Sequence, residues 1–278
     1  MEEELFSSID LVSQCLIDEE KTSAFDKSIR RQIKSNFEVL DIGTGSGILS
    51  LLAARAGANH VTALEFDPYI AEIAKNNIKQ NHFENVVKVC VGDARTYDYE
   101  RKSPFDMVLM EMLSTGMVDE YQVQASNNLH SRKLISPSTI LLPNKQMTYV
   151  TLSEFDFTVG GFEMKMVRHL WNHNENRNLL DLKSFPTLLS NIDFSALIEE
   201  KGKYSIECEA TKSGKINSIY FTSKTILSET ISLDDTSSLN APVVIPIPEK
   251  IVKIGEKIKL EIKYKFGGGY ENFTVEFD

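Results

Sequence analysis

Apolar positions along the first 143 residues switch between helical spacing and short continuous runs. Leu5, Ile9, Val12, Leu16 and Ile17 fall on one stripe of helical period, and residues 5–35 are predicted to be helical. Thr22 or Ser23 is expected to cap a second helix running to about Lys34. Strand and helix then alternate: strand over 37–42, helix over 48–56, strand over 60–65, and a helix opened by Pro68 and running to about Gln80. Strands follow at 86–91 and 105–110, and then a helix at 118–129. A β-α-β-α-β order predicts a parallel, doubly wound sheet.

The pattern changes near Pro143. Short alternating runs follow at 147–152, 204–210, 216–223, 257–266 and 273–277, separated by turn formers such as Lys212-Ser213-Gly214-Lys215 and Gly267-Gly268-Gly269. These predict an antiparallel barrel or sandwich. The stretch 236–248 carries Pro242, Pro246 and Pro248 and reads as an edge or a loop. The expected division is 1–35 as N-terminal helices, 36–143 as the α/β domain and 144–278 as the β domain.

Composition narrows this only a little. The 278 residues carry 40 acids against 30 Lys and Arg, a formal charge of −10 with no long basic run, so no nucleic-acid footprint is evident. The three cysteines, Cys15, Cys90 and Cys208, are far apart and odd in number, which suggests a reducing compartment. Met1-Glu2-Glu3-Glu4 is the opposite of a basic leader, and no apolar stretch is long enough for a membrane span, so a cytoplasmic, soluble protein is expected.

The first chemistry lies at 37–47, where an apolar run ends in Asp41 and continues Ile-Gly-Thr-Gly-Ser-Gly. Gly43, Gly45 and Gly47 occupy a strand-to-helix turn, where an open α/β sheet binds nucleotide-like ligands. A dinucleotide site would space its glycines Gly-x-Gly-x-x-Gly. The pattern here, Asp-x-Gly-x-Gly-x-Gly, resembles motif I of the S-adenosylmethionine (SAM) methyltransferases. Glu65, at the end of the second strand, is placed to accept the ribose hydroxyls. Asp93, with Ala94 beside it, is placed to take the adenine amino group.

Glu111 ends the apolar fourth strand, where an acid is costly unless it is paired or faces a cleft. Glu120 follows nine positions later, which on a continuous helix would put it on the opposite face. Gly116 lets the intervening loop fold back and bring both carboxylates into one pocket, with Met112 on its wall. Two carboxylates beside a methyl donor suit a guanidinium, whose planar fork of donors matches them.

Glu111 and Glu120 resemble the "double-E" loop of the protein arginine methyltransferases, and the resemblance covers almost the whole chain. Cys15-Leu16-Ile17-Asp18-Glu19-Glu20-Lys21 resembles that family's N-terminal segment over the cofactor. Asp18 matches its acid, and Lys21 stands in place of the arginine that pairs with the SAM carboxylate. Ile140-Leu141-Leu142-Pro143 and Glu271 to Phe277 resemble the entry to the barrel and its last strands. The resemblance implies a Rossmann-like SAM-binding domain followed by a β-barrel, with an arginine-containing peptide or a guanidino small molecule as the partner. There are three departures. Leu239-Asn240-Ala241-Pro242 replaces the Thr-His-Trp loop and leaves Asn240 as a partial stand-in in the substrate pocket. No dimerisation arm is evident, so no arm-type dimer is expected. The aromatic N-terminal helix retains only Phe6. The rival readings are methylation of a different nitrogen, on RNA or a small amine, and a catalytically inert SAM-binding homologue. His169-Leu170-Trp171-Asn172-His173 lacks a third ligand and is not expected to bind metal. Arg30-Arg31 reads as a solvated helix face.

Overall fold

The computed structural model describes residues 9–171 and 177–278. Leu5, Phe6 and His173 lie outside the described residues. Two helices precede the sheet, α1 (Ile9–Ile17) and α2 (Glu19–Gln32). The cap of α2 is Asp18, whose side chain accepts from the Lys21 backbone N–H at 3.1 Å, so the expected Thr22 or Ser23 cap is corrected by four residues or more. Asp18 wins because its short carboxylate satisfies an orphan donor of the first turn, with Glu19 and Glu20 favoured at the dipole's positive end. Lys21, Phe25, Ser28 and Ile29 form the buried stripe of α2. Full burial of Phe25 is worth about 1.5–3 kcal/mol. Among the described residues no helix is long and apolar enough to cross a membrane.

The alternating segment comprises β1 (Glu38–Ile42), α3 (Ile48–Arg55), β2 (His60–Glu65), α4 (Pro68–Gln80), β3 (Val87–Val91), β4 (Met107–Met110), α5 (Gln122–Ser131) and β5 (Ile140–Leu142). The five strands are all parallel in the order β3-β2-β1-β4-β5. The order reverses between β1 and β4, and in such sheets the crevice beyond that switch point is where ligands bind. Register aligns the ends: Ile42 pairs with Leu64 on one side and Met110 on the other. The residues that follow, Gly43, Glu65 and Glu111, therefore leave the sheet at one level. The helix expected to start at 118 starts instead at Gln122.

After Pro143 the chain is antiparallel. One sheet holds Lys145–Phe155, Gly214–Ser228 and Val243–Val252 at its centre, and a second holds Lys201–Glu209, Lys257–Lys265 and Thr274–Phe277. Lys257–Lys265 shows why these runs become strands: Ile258, Leu260, Ile262 and Tyr264 are buried, with lysines or Glu261 between them. Val243–Val252 fits the edge-or-loop reading of 236–248: 236–242 is irregular, and the strand that follows is an edge beyond its first two residues. It pairs with Gly214–Ser228 on both sides of a register break, and among the described residues only Val243 and Val244 have a partner on the other side. Pro246 and Pro248 thus fall where that other side is unpaired, the place where proline is tolerated. A single apolar cluster runs from Leu40, Met110 and Val123 of the α/β part to Phe221, Ile262 and Phe266 of the β part. This is a Rossmann-like α/β unit joined to an antiparallel barrel-type unit.

Candidate active site

Beyond the ends of β1, β2 and β4 lies a solvent-open cleft of about 1180 Å³. Lys21, Asp41, Gly43, Gly45, Glu65, Asp93, Ala94, Glu111, Met112 and Glu120 all line it. Among the sequence-predicted residues, Asp18, Gly47 and Asn240 do not.

The turn after β1 is built locally. Asp41 is 1% exposed, and it accepts from the Thr44 hydroxyl and the Ser50 hydroxyl at 2.6 Å each. Burial pushes its carboxyl up to about 6 despite those two donors. Asp41 therefore pins the turn to the start of α3. Gly43 has φ +69°, and a Cβ there would lie 2.9 Å from Met112 Cγ, so the cradle depends on glycine's freedom and size. Gly47 sits at the N-cap of α3.

Glu65 is almost fully buried and fixed by two amides, the Gly45 N–H at 2.9 Å and the Asp67 N–H at 3.0 Å. Burial raises its pKa while those amides pull it down. The carboxylate lines the cleft and has further acceptor capacity beyond these bonds, as a ribose diol requires. A glycine cradle, an anchored acid and the apolar walls Leu11, Val12 and Phe66 fit SAM.

Asp93 is held more tightly than the sequence suggests. Arg95 forks onto it, with Nε at 3.1 and 3.0 Å from the two oxygens and Nη2 at 2.9 Å. An adenine amino group would share an acceptor that is already ion-paired. The same guanidinium lies 4.3 Å from the Tyr121 ring centroid. Neither Arg95 nor Tyr121 was singled out by sequence, although both line the cleft.

Lys21 turns its ammonium onto Glu111 Oε1 at 2.8 Å and onto the Ser238 hydroxyl at 3.2 Å. Burial opposes its charge, but Glu111 together with Cys15 and Asp18 outweighs that and its pKa rises. Ser238 also donates to Asp18 Oδ2 at 2.8 Å. A buried chain Asp18–Ser238–Lys21–Glu111 thus joins the N-terminal helices, the barrel loop and the end of β4. This corrects the place given to Asn240. Asn240 is 1% exposed, donates to the Asp234 carbonyl at 3.3 Å and stays off the cleft, while its neighbour Leu239 lines it. The hydroxyl-rich Thr236-Ser237-Ser238 was the signal available, but only the fold shows which hydroxyl meets Asp18.

Glu111 is half-buried, its side chain 16% exposed, and desolvation raises its pKa against the pull of Lys21. No hydrogen bond reaches the Glu120 carboxylate from the described residues; burial and Glu111 push it up to about 8. Its loop is held by the barrel. Gly116 N–H donates to Ser223 at 2.9 Å, Thr115 to the Ala241 carbonyl at 2.5 Å, and Gln146 to the Ser114 carbonyl at 3.0 Å. The carbonyls of Met117 and Val118 accept from Gly267 and Gly269. With barrel amides on these carbonyls, the chain makes a 3-10 turn at Thr115–Met117 and enters the α-helix only at Gln122. A side chain at Gly116 would collide with the Phe221 ring.

His169 stacks on Trp171 at 5.3 Å and meets Tyr270 edge-on. This is a packing arrangement, with Trp171 partly exposed.

The family model described as ribosomal protein L11 methyltransferase (PrmA) matches residues 21–172. An uncharacterized protein of Methanocaldococcus jannaschii is 31% identical over 260 residues, spanning 94% of this chain and 93% of its own. An arginine N(omega)-methyltransferase of Streptomyces achromogenes subsp. streptozoticus is 27% identical over 281 residues, 94% of this chain and 76% of that protein. The fold is similar to that of a chain in the Trypanosoma brucei PRMT1 enzyme–prozyme heterotetrameric complex with AdoHcy. The TM-score is 0.73 and the identity 17%, over 96% of both chains.

Proposed function

This chain belongs to the PrmA-type family of class I SAM-dependent methyltransferases, and we propose that it methylates a guanidinium nitrogen, on arginine in a peptide or on a free guanidino metabolite. One observation carries the reading: Glu111 and Glu120, nine positions apart, open into one cleft with the glycine turn and Glu65. The arginine methyltransferase relative supports the same acceptor class. We infer that residues 1–35 cover the cofactor, 36–143 bind it, and 144–278 form the barrel that faces the acceptor.

SAM, held by the glycine turn, Glu65 and the Asp93–Ala94 strand end, supplies an activated methyl group. The chain's own residues bind and orient. Glu111, ion-paired with Lys21, offers a fixed oxygen to one guanidinium nitrogen. Glu120 is protonated at neutral pH in the free site and gives its proton to solvent when a cation arrives, because an opposite charge favours the carboxylate. Two carboxylates hold the guanidinium in plane and draw its positive charge toward themselves, leaving the third nitrogen the most electron-rich. Catalysis is then positioning and electrostatics.

The Lys21–Glu111 pair also favours a second reading. With Glu111 partly neutralised, Glu120 alone could bind a simple amine. The decisive test offers the protein SAM with free arginine, an arginine-rich peptide and a small amine together, read by mass spectrometry. Methyl gain on the peptide or on arginine supports the proposal. Gain on the amine alone, retained in Glu111→Gln, replaces it with the second reading. SAM binding without methyl gain on any of the three rules in favour of the inert homologue.

A further inference from the structure

Glu120 enters the cleft from a loop without a regular ladder; its own N–H donates to the Ser114 hydroxyl at 3.3 Å, and the next residue carries the larger constraint. That residue, Tyr121, is gripped from two sides. The Arg95 guanidinium covers its ring at 4.3 Å and is itself forked onto Asp93 on the cofactor wall. On the barrel side Gly267, at φ +65°, approaches so closely that a Cβ would lie 2.7 Å from Tyr121 Cδ1 and 3.1 Å from the Glu120 carbonyl oxygen. That turn is bolted to the loop: Gly267 N–H donates to the Met117 carbonyl and Gly269 N–H to the Val118 carbonyl, each at 3.0 Å. The Gln124 side chain adds a bond to the Phe266 carbonyl at 2.6 Å.

We propose that Tyr121 is a positioning residue that sets the reach of Glu120, wedged between Arg95 on the cofactor wall and the Gly267 turn of the barrel. The inference rests on the reading of Glu120 as the acceptor-binding carboxylate and adds the strut that aims it. Both Cα atoms lie in the one rigid peptide plane between Glu120 and Tyr121, so a displacement of the Tyr121 backbone carries the Glu120 Cα with it. The strut also gives the cofactor side and the acceptor side one common support, since Asp93 and Glu120 lie at its two ends. The charged groups facing Glu120 are Glu111 and Glu65 at the strand ends, Asp119 on its own loop and Lys21 from α2. Loosening the wedge lets Glu120 move away from them toward water.

The test compares Tyr121→Ala and Gly267→Ala with Gly255→Ala. Gly255 has φ +80° and nothing within 4 Å of a Cβ, so it carries the same backbone strain without the contact. Acceptor KM and kcat, S-adenosylhomocysteine affinity and the carbon-13 titration of the Glu120 carboxyl are read for each. In Tyr121→Ala and Gly267→Ala, kcat/KM for the acceptor is expected to fall roughly tenfold to a hundredfold, the cost of misplacement by about 1 Å. The Glu120 midpoint should drop toward the ordinary glutamate range. Tyr121→Phe, which keeps the ring, should recover most of both. Gly255→Ala should lower only the melting temperature. If Tyr121→Ala and Gly267→Ala match Gly255→Ala in turnover and in titration, the strut is overturned. The titration needs no acceptor, so it decides even if turnover is slow, and Tyr121→Ala decides if Gly267→Ala does not fold. Glu120→Gln in the same series separates the two ideas. Full turnover there sinks the reading of Glu120, whereas lost turnover there with intact Tyr121 and Gly267 variants sinks only the strut.

Discussion

Residues 41–50 and residues 110–121 leave the parallel sheet at neighbouring strand ends and face one cleft, yet they are held in different ways. The cofactor turn is tied by bonds within itself: Asp41 to Thr44 three residues on and to Ser50 nine residues on. Apart from local bonds onto Ser114 from Met117, Asp119 and Glu120, and one from Gln146, the acceptor loop is tied to distant chain. Its partners Ser223, Ala241, Gly267 and Gly269 all lie more than a hundred residues away in sequence. A turn that closes on itself can form as soon as its strand and helix do. A loop shaped by the barrel has its geometry only after the barrel has folded, so barrel changes are expected to reach acceptor chemistry before they reach cofactor binding.

The largest test of that separation is Glu120→Gln. Removing one pre-aimed charge of this kind typically costs about 10²–10³ in kcat. Calorimetry should show S-adenosylhomocysteine affinity nearly unchanged, and a parallel collapse of that affinity would break the comparison.

Gly43→Ala should act on the other side. A left-handed conformation costs a non-glycine residue about 1–2 kcal/mol, and Met112 must also shift, so cofactor affinity should fall on the order of tenfold. Acceptor KM at saturating cofactor should move little. Equal damage to both would mean that the two regions are one unit.

The pH profile sharpens the contrast further. Because the free site holds Glu120 with a pKa of about 8, cation binding must expel its proton below that pH. Acceptor affinity should rise up to about tenfold per pH unit toward 8 and flatten above it. The stability sign follows from the same shift. The folded pKa lies above the unfolded one, so the protein pays progressively from the ordinary glutamate range upward and in full above about 8. Glu120→Gln should therefore raise the melting temperature at pH 9 and leave it near the parent's at pH 4. A flat affinity profile would remove the cation from this site.

Ser238→Ala should have the smallest effect. It breaks the hydroxyl link between Asp18 and Lys21 but leaves the Lys21–Glu111 pair, a cost of about 1–2 kcal/mol in thermal unfolding. A rate loss as large as that of Glu120→Gln would instead place Ser238 among the groups that act on the acceptor.

The α/β order, the strand ends bearing Asp41, Glu65 and Glu111, and the glycine cradle were legible in the chain itself. Each is written in a local period or within ten residues, and parallel-strand register then brings the ends to one level without further information. The Asp18 cap of α2 and Arg95 on Asp93, three and two residues apart, are local contacts that periodicity does not mark, whereas the loop running on to Gln122 and Ser238 in place of Asn240 were decided only by tertiary structure. Those contacts depend on which distant donor reaches a given carbonyl or carboxylate first. Helical or strand periodicity carries no record of a partner two hundred residues away, so only the folded β unit could select Ser238 and aim Glu120.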